Sequence, residues 1–256
     1  MGARPFRRCR LCLEGHLLCD SHLLPKSMFR ILRSPLDKNP NPIVAGEGYF
    51  YPTSKQLSDY LLCEDCEQRF RRLGEDWVMS NCYHDEQTFR IREILQSAVP
   101  LSDNKEIRVY SGASITELRM DYLVYFAISV FWRAAVHTWR VDGRGYGISL
   151  GPYEEPLRRF LRGETAFPDK FVLAVRVSSR PELLKTAHAP NTGNGRGFHF
   201  HRFVIPGLVF VLLSGGRIPT EHYTASTAPA QERYISVYPK SELADLNEVI
   251  TLLQKS

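Results

Sequence analysis

An α+β fold in two parts is predicted from three features of the sequence. Two Cys-x2-Cys pairs stand about fifty residues apart near the N-terminus, an unusually apolar helical pattern runs from Ser114 to Val141, and short β-branched or aromatic runs recur after Phe171. The paired cysteines mark a small module over residues 1–82. The other two features mark a larger α+β domain over residues 83–256, with a long buried helix and an antiparallel sheet.

The chain opens with a short basic arm and reaches the first pair at Cys9-Arg-Leu-Cys12; the second is Cys63-Glu-Asp-Cys66. Six cysteines in 256 residues would give only about 0.14 such pairs by chance. A Cys-x2-Cys turn points both thiolates at one tetrahedral ion, and two turns supply the four sulfurs of a closed structural zinc site. Two disulfides or a redox pair are the rival readings. The basic first ten residues lack the apolar stretch of a secretory signal, which favours zinc and a cytoplasmic setting. Cys19 and Cys82 are left over and read as buried small hydrophobes.

From His16 to Leu24 the pattern is a strand ending at Pro25, and Ser27 to Arg33 forms a short helix. Residues 34–55 are broken by proline and glycine and read as a loop with one strand. Glu67 to Trp77 is helical, with Arg69 and Arg72 on one face.

His22-Leu-Leu-Pro25-Lys-Ser27, preceded by one Cys-x2-Cys and followed by Leu-Leu-Cys-x2-Cys, resembles the HNH nucleases of the His-Me finger, or ββα-metal, superfamily. The resemblance covers about residues 5–75. It implies a ββα-metal module in which His22 is the general base and a divalent ion, Mg2+ or Mn2+, sits at the scissile phosphate. Family members carry Asp or His just before the base; here Ser21 stands there, with Asp20 one residue back. Successive strand residues face opposite ways, so Asp20 takes over that role only if a β-bulge re-aims it. After the last cysteine, Glu67 replaces the usual His or Asn, either as an ion ligand or as a first-turn helix acid. Asp59 stands roughly where the family's middle Asn ties the loop together.

The net charge of +5 is concentrated at the same end. Residues 1–33 hold seven Lys or Arg against Glu14 and Asp20, so the remainder of the chain sums to zero. Arg8, Arg10, Lys26 and Arg30, with Arg69 and Arg72, are the expected nucleic-acid contacts, and a solvated basic tail is the alternative.

Further along, Glu86 to Ser97 is an amphipathic helix and Ile107 to Tyr110 a strand. The helix from Ser114 to Val141 has an uncharged centre of only eleven residues, too short to span a membrane. Pro156 to Arg162 is a short helix, Phe171 to Val177 a strand, and residues 189–197 a Gly/Asn-rich loop. Phe198 to Leu213 reads as two strands turning at Pro206-Gly207. His199 and His201 fall on one face of the first of these, as exposed polar residues or as ligands, with the phenylalanines on the other. Tyr234 to Tyr238 is a strand and Ser241 to Gln254 a closing helix.

The expectation is therefore a cytoplasmic HNH endonuclease hydrolysing DNA rather than RNA. Its zinc is structural, and its second domain regulates it or recognises a target, with a protein partner or another copy of the chain as what that domain would bind. A role in restricting phage extends this reading. The alternative is a degenerate HNH module that binds nucleic acid or a partner without cutting.

Overall fold

The computed structural model describes residues 3–33, 43–46, 49–52, 56–85, 88–103, 107–141, 143–178, 184–195 and 197–238 of the 256-residue chain. The expected helix over residues 241–254 lies outside them.

The N-terminal part comprises β1 (Phe6–Arg8), β2 (Gly15–His22), α1 (Met28–Leu32), the hairpin β3 (Ile43–Gly46) and β4 (Tyr49–Pro52), and β5 (Ser58–Cys63). The helices α2 (Glu64–Phe70) and α3 (Asp76–Asn81) follow, joined by one π-helical stretch, Arg71–Glu75. β1, β2 and β5 form an antiparallel sheet with β2 in the middle. The two long strands and the helix that follows are thus in ββα order.

The rest of the chain runs α4 (Arg90–Ser97), β6 (Ser102–Asp103), β7 (Arg108–Ser111), α5 (Met120–Val136), β8 (Trp139–Val141), β9 (Arg144–Tyr146), α6 (Glu154–Arg162), β10 (Phe171–Ser178), β11 (His188–Asn194), β12 (His199–Ile205), β13 (Leu208–Ser214), α7 (Thr220–Thr224) and β14 (Tyr234–Tyr238). Seven strands form one sheet in the order β11-β12-β13-β10-β14-β7-β6. The fold is α+β. The sheet is antiparallel except where β14 returns alongside β10 in parallel.

Helix α5 is the shared wall of the molecule. Its residues from Leu123 to Ala134 are all buried, so it has no polar face. One side meets the large sheet, with the Phe131 ring 4.9 Å from Phe203 and Phe126 5.6 Å from Phe210. The other side meets the N-terminal helices, where Phe70 stands edge-on to Tyr125 and Trp132 at 6.0 and 6.1 Å. Each such buried aromatic contributes on the order of 2 kcal/mol from removal of apolar area. The hydrophobic core is therefore continuous across residue 82.

Several stretches differ from the sequence-based expectation: the basic arm carries strand β1, and a two-stranded hairpin stands at residues 43–52 where the sequence predicts a single strand. The long helix starts at Met120, not Ser114, because Ile115 is extended after a 3-10 turn at Gly112–Ser114; it stops at Val136, where His137 turns extended into the β8–β9 hairpin. The expected loop over residues 189–197 is largely strand β11, paired with β12 from Asn191↔Arg202 to Asn194↔His199. An edge strand needs only one ladder, and that pairing outweighs the poor β-propensity of Asn and Gly. The turn at Pro206-Gly207 forms as expected, with Gly207 in the left-handed region (φ 77°).

On β12 the histidines separate. His199 is exposed, but His201 is fully buried, bridging Thr192 Oγ1 at 2.8 Å and Ser214 Oγ at 3.0 Å beside the Phe131 ring. It shares the inward face with Phe203, while Phe200 is partly exposed. The α5 side covers that face, which a two-residue alternation alone cannot assign.

Two stability measurements follow from this packing. A Cβ on Gly74 would come within 2.8 Å of the Phe126 backbone nitrogen, where helix meets helix. Gly74→Ala is expected to lower stability by about 1–3 kcal/mol in urea unfolding, although alanine is the better helix former. Burial also holds the His201 imidazole down at about 4, against an ordinary 6.5. Between those values the unfolded chain takes up a proton that the folded one refuses, so stability falls with pH from 6.5 towards 4, by up to about 3 kcal/mol. The thermal midpoint of His201→Asn should fall less than that of the native protein over this interval.

Candidate active site and metal centre

Each cysteine pair is shaped by a local turn. In the first, the Leu13 N–H donates to the Cys9 carbonyl at 3.0 Å, and Cys9 N–H reaches Glu14 O at 2.8 Å. Closing this tight loop forces Leu13 into the left-handed region (φ 66°). In the second, Cys63 ends β5 and caps α2, which puts Cys66 in the first helical turn. The Cys9, Cys12, Cys63 and Cys66 sulfurs all lie within 4.8 Å of one another, and those of Cys12 and Cys63 are 3.9 Å apart. Four sulfurs 2.3 Å from a tetrahedral zinc are about 3.8 Å apart, whereas a disulfide needs about 2.05 Å. All six cysteines are free. The cluster is a group able to hold a metal such as zinc.

Its electrostatics favour a thiolate at Cys9. The Cys66 thiol donates to it, and the Cys12, Cys63 and Leu11 backbones add hydrogen bonds, lowering Cys9 to about 4 against the opposing effect of burial. Cys63 N lies 3.4 Å from Cys9 Sγ. Cys19 and Cys82 are elsewhere, and burial pushes both thiols up to about 12, which keeps them protonated. Among the described residues the other close group of donors is Cys12, Glu14 and His16. It shares Cys12, and its carboxylate and imidazole are harder and more exposed than the three sulfurs completing the tetrathiolate.

His22 stands at the end of β2, half-buried, one strand away from the second cysteine pair. Between Leu18↔Cys63 and Asp20↔Tyr60 the ladder slips, leaving two residues of β5 opposite one of β2. Asp20 is exposed two residues before His22, hence on the same side of the strand, whereas Ser21 is buried and its Oγ accepts the Leu62 N–H at 3.2 Å. Ser21 thereby ties β2 to β5. Burial lowers the His22 imidazole; Asp20 raises it, Lys26 lowers it and Glu67 raises it. Three charged side chains from β2, the following turn and α2 thus bear on one imidazole.

Glu67 has a further mark. Its Oε1 is buried without a hydrogen-bond partner among the described residues, a costly state for a carboxylate oxygen and the state expected of an ion ligand. Asp20, His22 and Glu67 are not, however, among the described groups of three whose donor atoms all lie within 4.8 Å of one another.

Two residues that sequence reasoning missed complete the surroundings. Arg133 of α5, only 1% exposed, donates from Nη1 to the His22 carbonyl at 2.6 Å, faces Glu75 Oε2 at 3.6 Å and stacks over Phe70. Burial raises the Glu75 carboxyl; Arg133 opposes this and Glu67 adds to it. A lone arginine inside an apolar helix was the available signal, since a buried guanidinium demands partners. His137 is the second: its Nε2 meets Asp59 Oδ2 at 2.9 Å, while Asp59 Oδ1 accepts the Tyr60 N–H at 2.7 Å.

The expected phosphate contacts divide. Arg8, Arg10, Lys26, Arg30 and Arg72 are exposed. Arg69 is not available: its guanidinium donates to the Leu161 and Arg162 carbonyls at 2.7 and 2.8 Å, closing the C-terminal end of α6. Helical spacing put it beside Arg72, but unpaired helix-end carbonyls within reach are the stronger local acceptors.

No family model, curated protein or solved structure matches this chain. Among the described residues, no helix is long and apolar enough to cross a membrane.

The cysteine cluster sets a direct test. Purified protein should carry one zinc per chain by elemental analysis. Cys63→Ser should lose the zinc and the cooperative unfolding transition, because a structural ion contributes folding free energy itself. A metal-free chain with an unchanged transition would overturn the assignment.

Proposed function

We propose that this protein is a metal-dependent nuclease of the HNH type that hydrolyses DNA phosphodiester bonds, with His22 as general base. The observation that carries the reading is the place of His22 at the end of β2, paired to the strand that runs into α2 and with Asp20 on the same side of its strand, within a ββα arrangement closed by four cysteines.

The buried, unpartnered Glu67 Oε1 fits an ion ligand, and Asp20 is the second carboxylate able to share it. When bound there, Mg2+ or Mn2+ supplies positive charge to the scissile phosphate and the departing oxygen. The neutral His22 imidazole takes the proton of an attacking water. Arg133 holds the His22 backbone through its carbonyl and so orients the ring. Lys26 and Arg30, both exposed beyond Pro25, meet the phosphates on either side. The basic charge on this end of the chain supports a polyanionic substrate.

A second reading has an observation in its favour. Ser21 occupies the place of a usual family ligand and is committed to the Leu62 N–H, which suits a module that holds nucleic acid without cutting it.

Cutting of supercoiled plasmid with Mg2+ or Mn2+ separates the two. The native protein should nick or linearise the plasmid, with His22→Ala slowed at least about 100-fold and Glu67→Gln slowed with a raised metal requirement. Equal cutting by native protein and His22→Ala overturns the assignment of the base. A gel shift by both proteins with no cutting favours the binding module.

A further inference from the structure

A cleft of about 490 Å³ opens where the three-stranded sheet meets the end of α5 and the start of β8. Arg7, Arg8 and Arg10 line it from the N-terminal part, and His137 and Arg140 from the C-terminal part; Asp59 is its one acidic residue. Sequence reasoning had assigned no function to Arg7, His137 or Arg140.

Four arginines thus line the cleft with a single carboxylate, and Asp59 is already engaged with His137 and the Tyr60 N–H. Arg8 donates from Nε to Leu13 O at 2.8 Å, and Arg10 from Nη2 to Val136 O at 2.7 Å. These bonds hold both forks in place and leave further donors on each for a ligand. Among the described residues, the guanidinium groups of Arg7 and Arg140 have no hydrogen-bond or ion-pair partner; both side chains are exposed. Like charges gathered in a recess repel one another. Such an arrangement is stabilised by an anion, and planar forks match the paired oxygens of phosphate.

The ladder relates the cleft to His22. Asp59 pairs with Ser21, and the next pair is Ser58 with His22, so Asp59 is next to the candidate base along the sheet, with its side chain on the opposite face from that of His22. Four arginines spread along one open cleft suit a run of phosphates better than an isolated small anion.

We propose that this cleft binds the phosphodiester backbone of nucleic acid and so anchors the substrate on the N-terminal sheet that carries His22. The inference rests on the nuclease reading above and adds a binding track to which both parts of the chain contribute.

The test is fluorescence anisotropy of a labelled DNA duplex, without divalent ions, across a series of NaCl concentrations. The proteins compared are His22→Ala and the same chain carrying Arg7→Glu and Arg140→Glu. The cleft variant should bind about tenfold more weakly, with a slope of log affinity against log salt shallower by about 2. The paired changes Arg217→Glu and Arg90→Glu, which alter net charge equally at residues that do not line the cleft, should leave the slope unchanged. If charge reversal disturbs folding, seen as lost zinc or a changed circular dichroism spectrum, Arg7→Gln with Arg140→Gln should give the same direction of change.

Unaltered affinity and slope in the cleft variants overturn the proposal, as does competition by poly-glutamate at the same charge concentration as DNA, which would mark an acidic-protein site. Failure of this inference and of the nuclease reading is distinguishable. Cutting that needs His22 while the cleft variants bind normally removes the cleft alone; weakened binding in the cleft variants, with no cutting under either metal, removes the nuclease reading alone.

Discussion

The closure of Cys9 and Cys12 onto Cys63 and Cys66 is the constraint on which the N-terminal part depends. Four buried or half-buried sulfurs within 4.8 Å of one another do not stay together as bare thiolates, and no two of them are bonded as a disulfide. A metal such as zinc resolves that conflict. Closing the intervening stretch of about fifty residues also removes chain entropy that would otherwise oppose folding, by the reasoning that applies to any crosslink. The consequences are local and specific. β5 ends at Cys63, the first turn of α2 holds Cys66, and Glu67 follows directly, so the cysteine cluster positions the start of that helix.

A second constraint comes from α5. A helix buried on every side needs neighbours on every side, and here they are the seven-stranded sheet, the α2–α3 pair and α6. Gly74 lets the helices approach to backbone contact at the π-helical stretch, where the ladder of helix hydrogen bonds is already widened. Placing Arg133 in this wall would be severely destabilising without partners. Its bonds to the His22 carbonyl, Ser129 and Glu75 offset that cost, and they connect the C-terminal part to the backbone of the candidate base. A change in how α5 sits on the sheet therefore reaches His22 through one side chain.

The basic character of the N-terminus takes on a more definite form in three dimensions. Arg69 is drawn into capping α6, and Arg8 and Arg10 are braced by backbone carbonyls. Arg140 and His137, distant in sequence, join the arginines at the sheet. Charge counting locates an electropositive end, but which guanidinium groups stay free depends on the acceptors folding brings near them.

What the sequence determined by itself was whatever depends on short spacing. The Cys-x2-Cys turns, the strand ending in His22, the Pro206-Gly207 hairpin, the buried helix and the α+β class are all legible there, because knuckles, turns and hydrophobic periodicity act over a few residues. The tertiary structure decided which of the chemically capable side chains are left with something to do. Asp20 shares a strand side with His22 while Ser21 is consumed by Leu62; Glu67 keeps a buried oxygen without a partner; His201 is sealed under α5 and His199 is not. Those outcomes turn on desolvation and on hydrogen-bond partners tens to more than a hundred residues away, as between Arg133 and His22, and no local pattern encodes them.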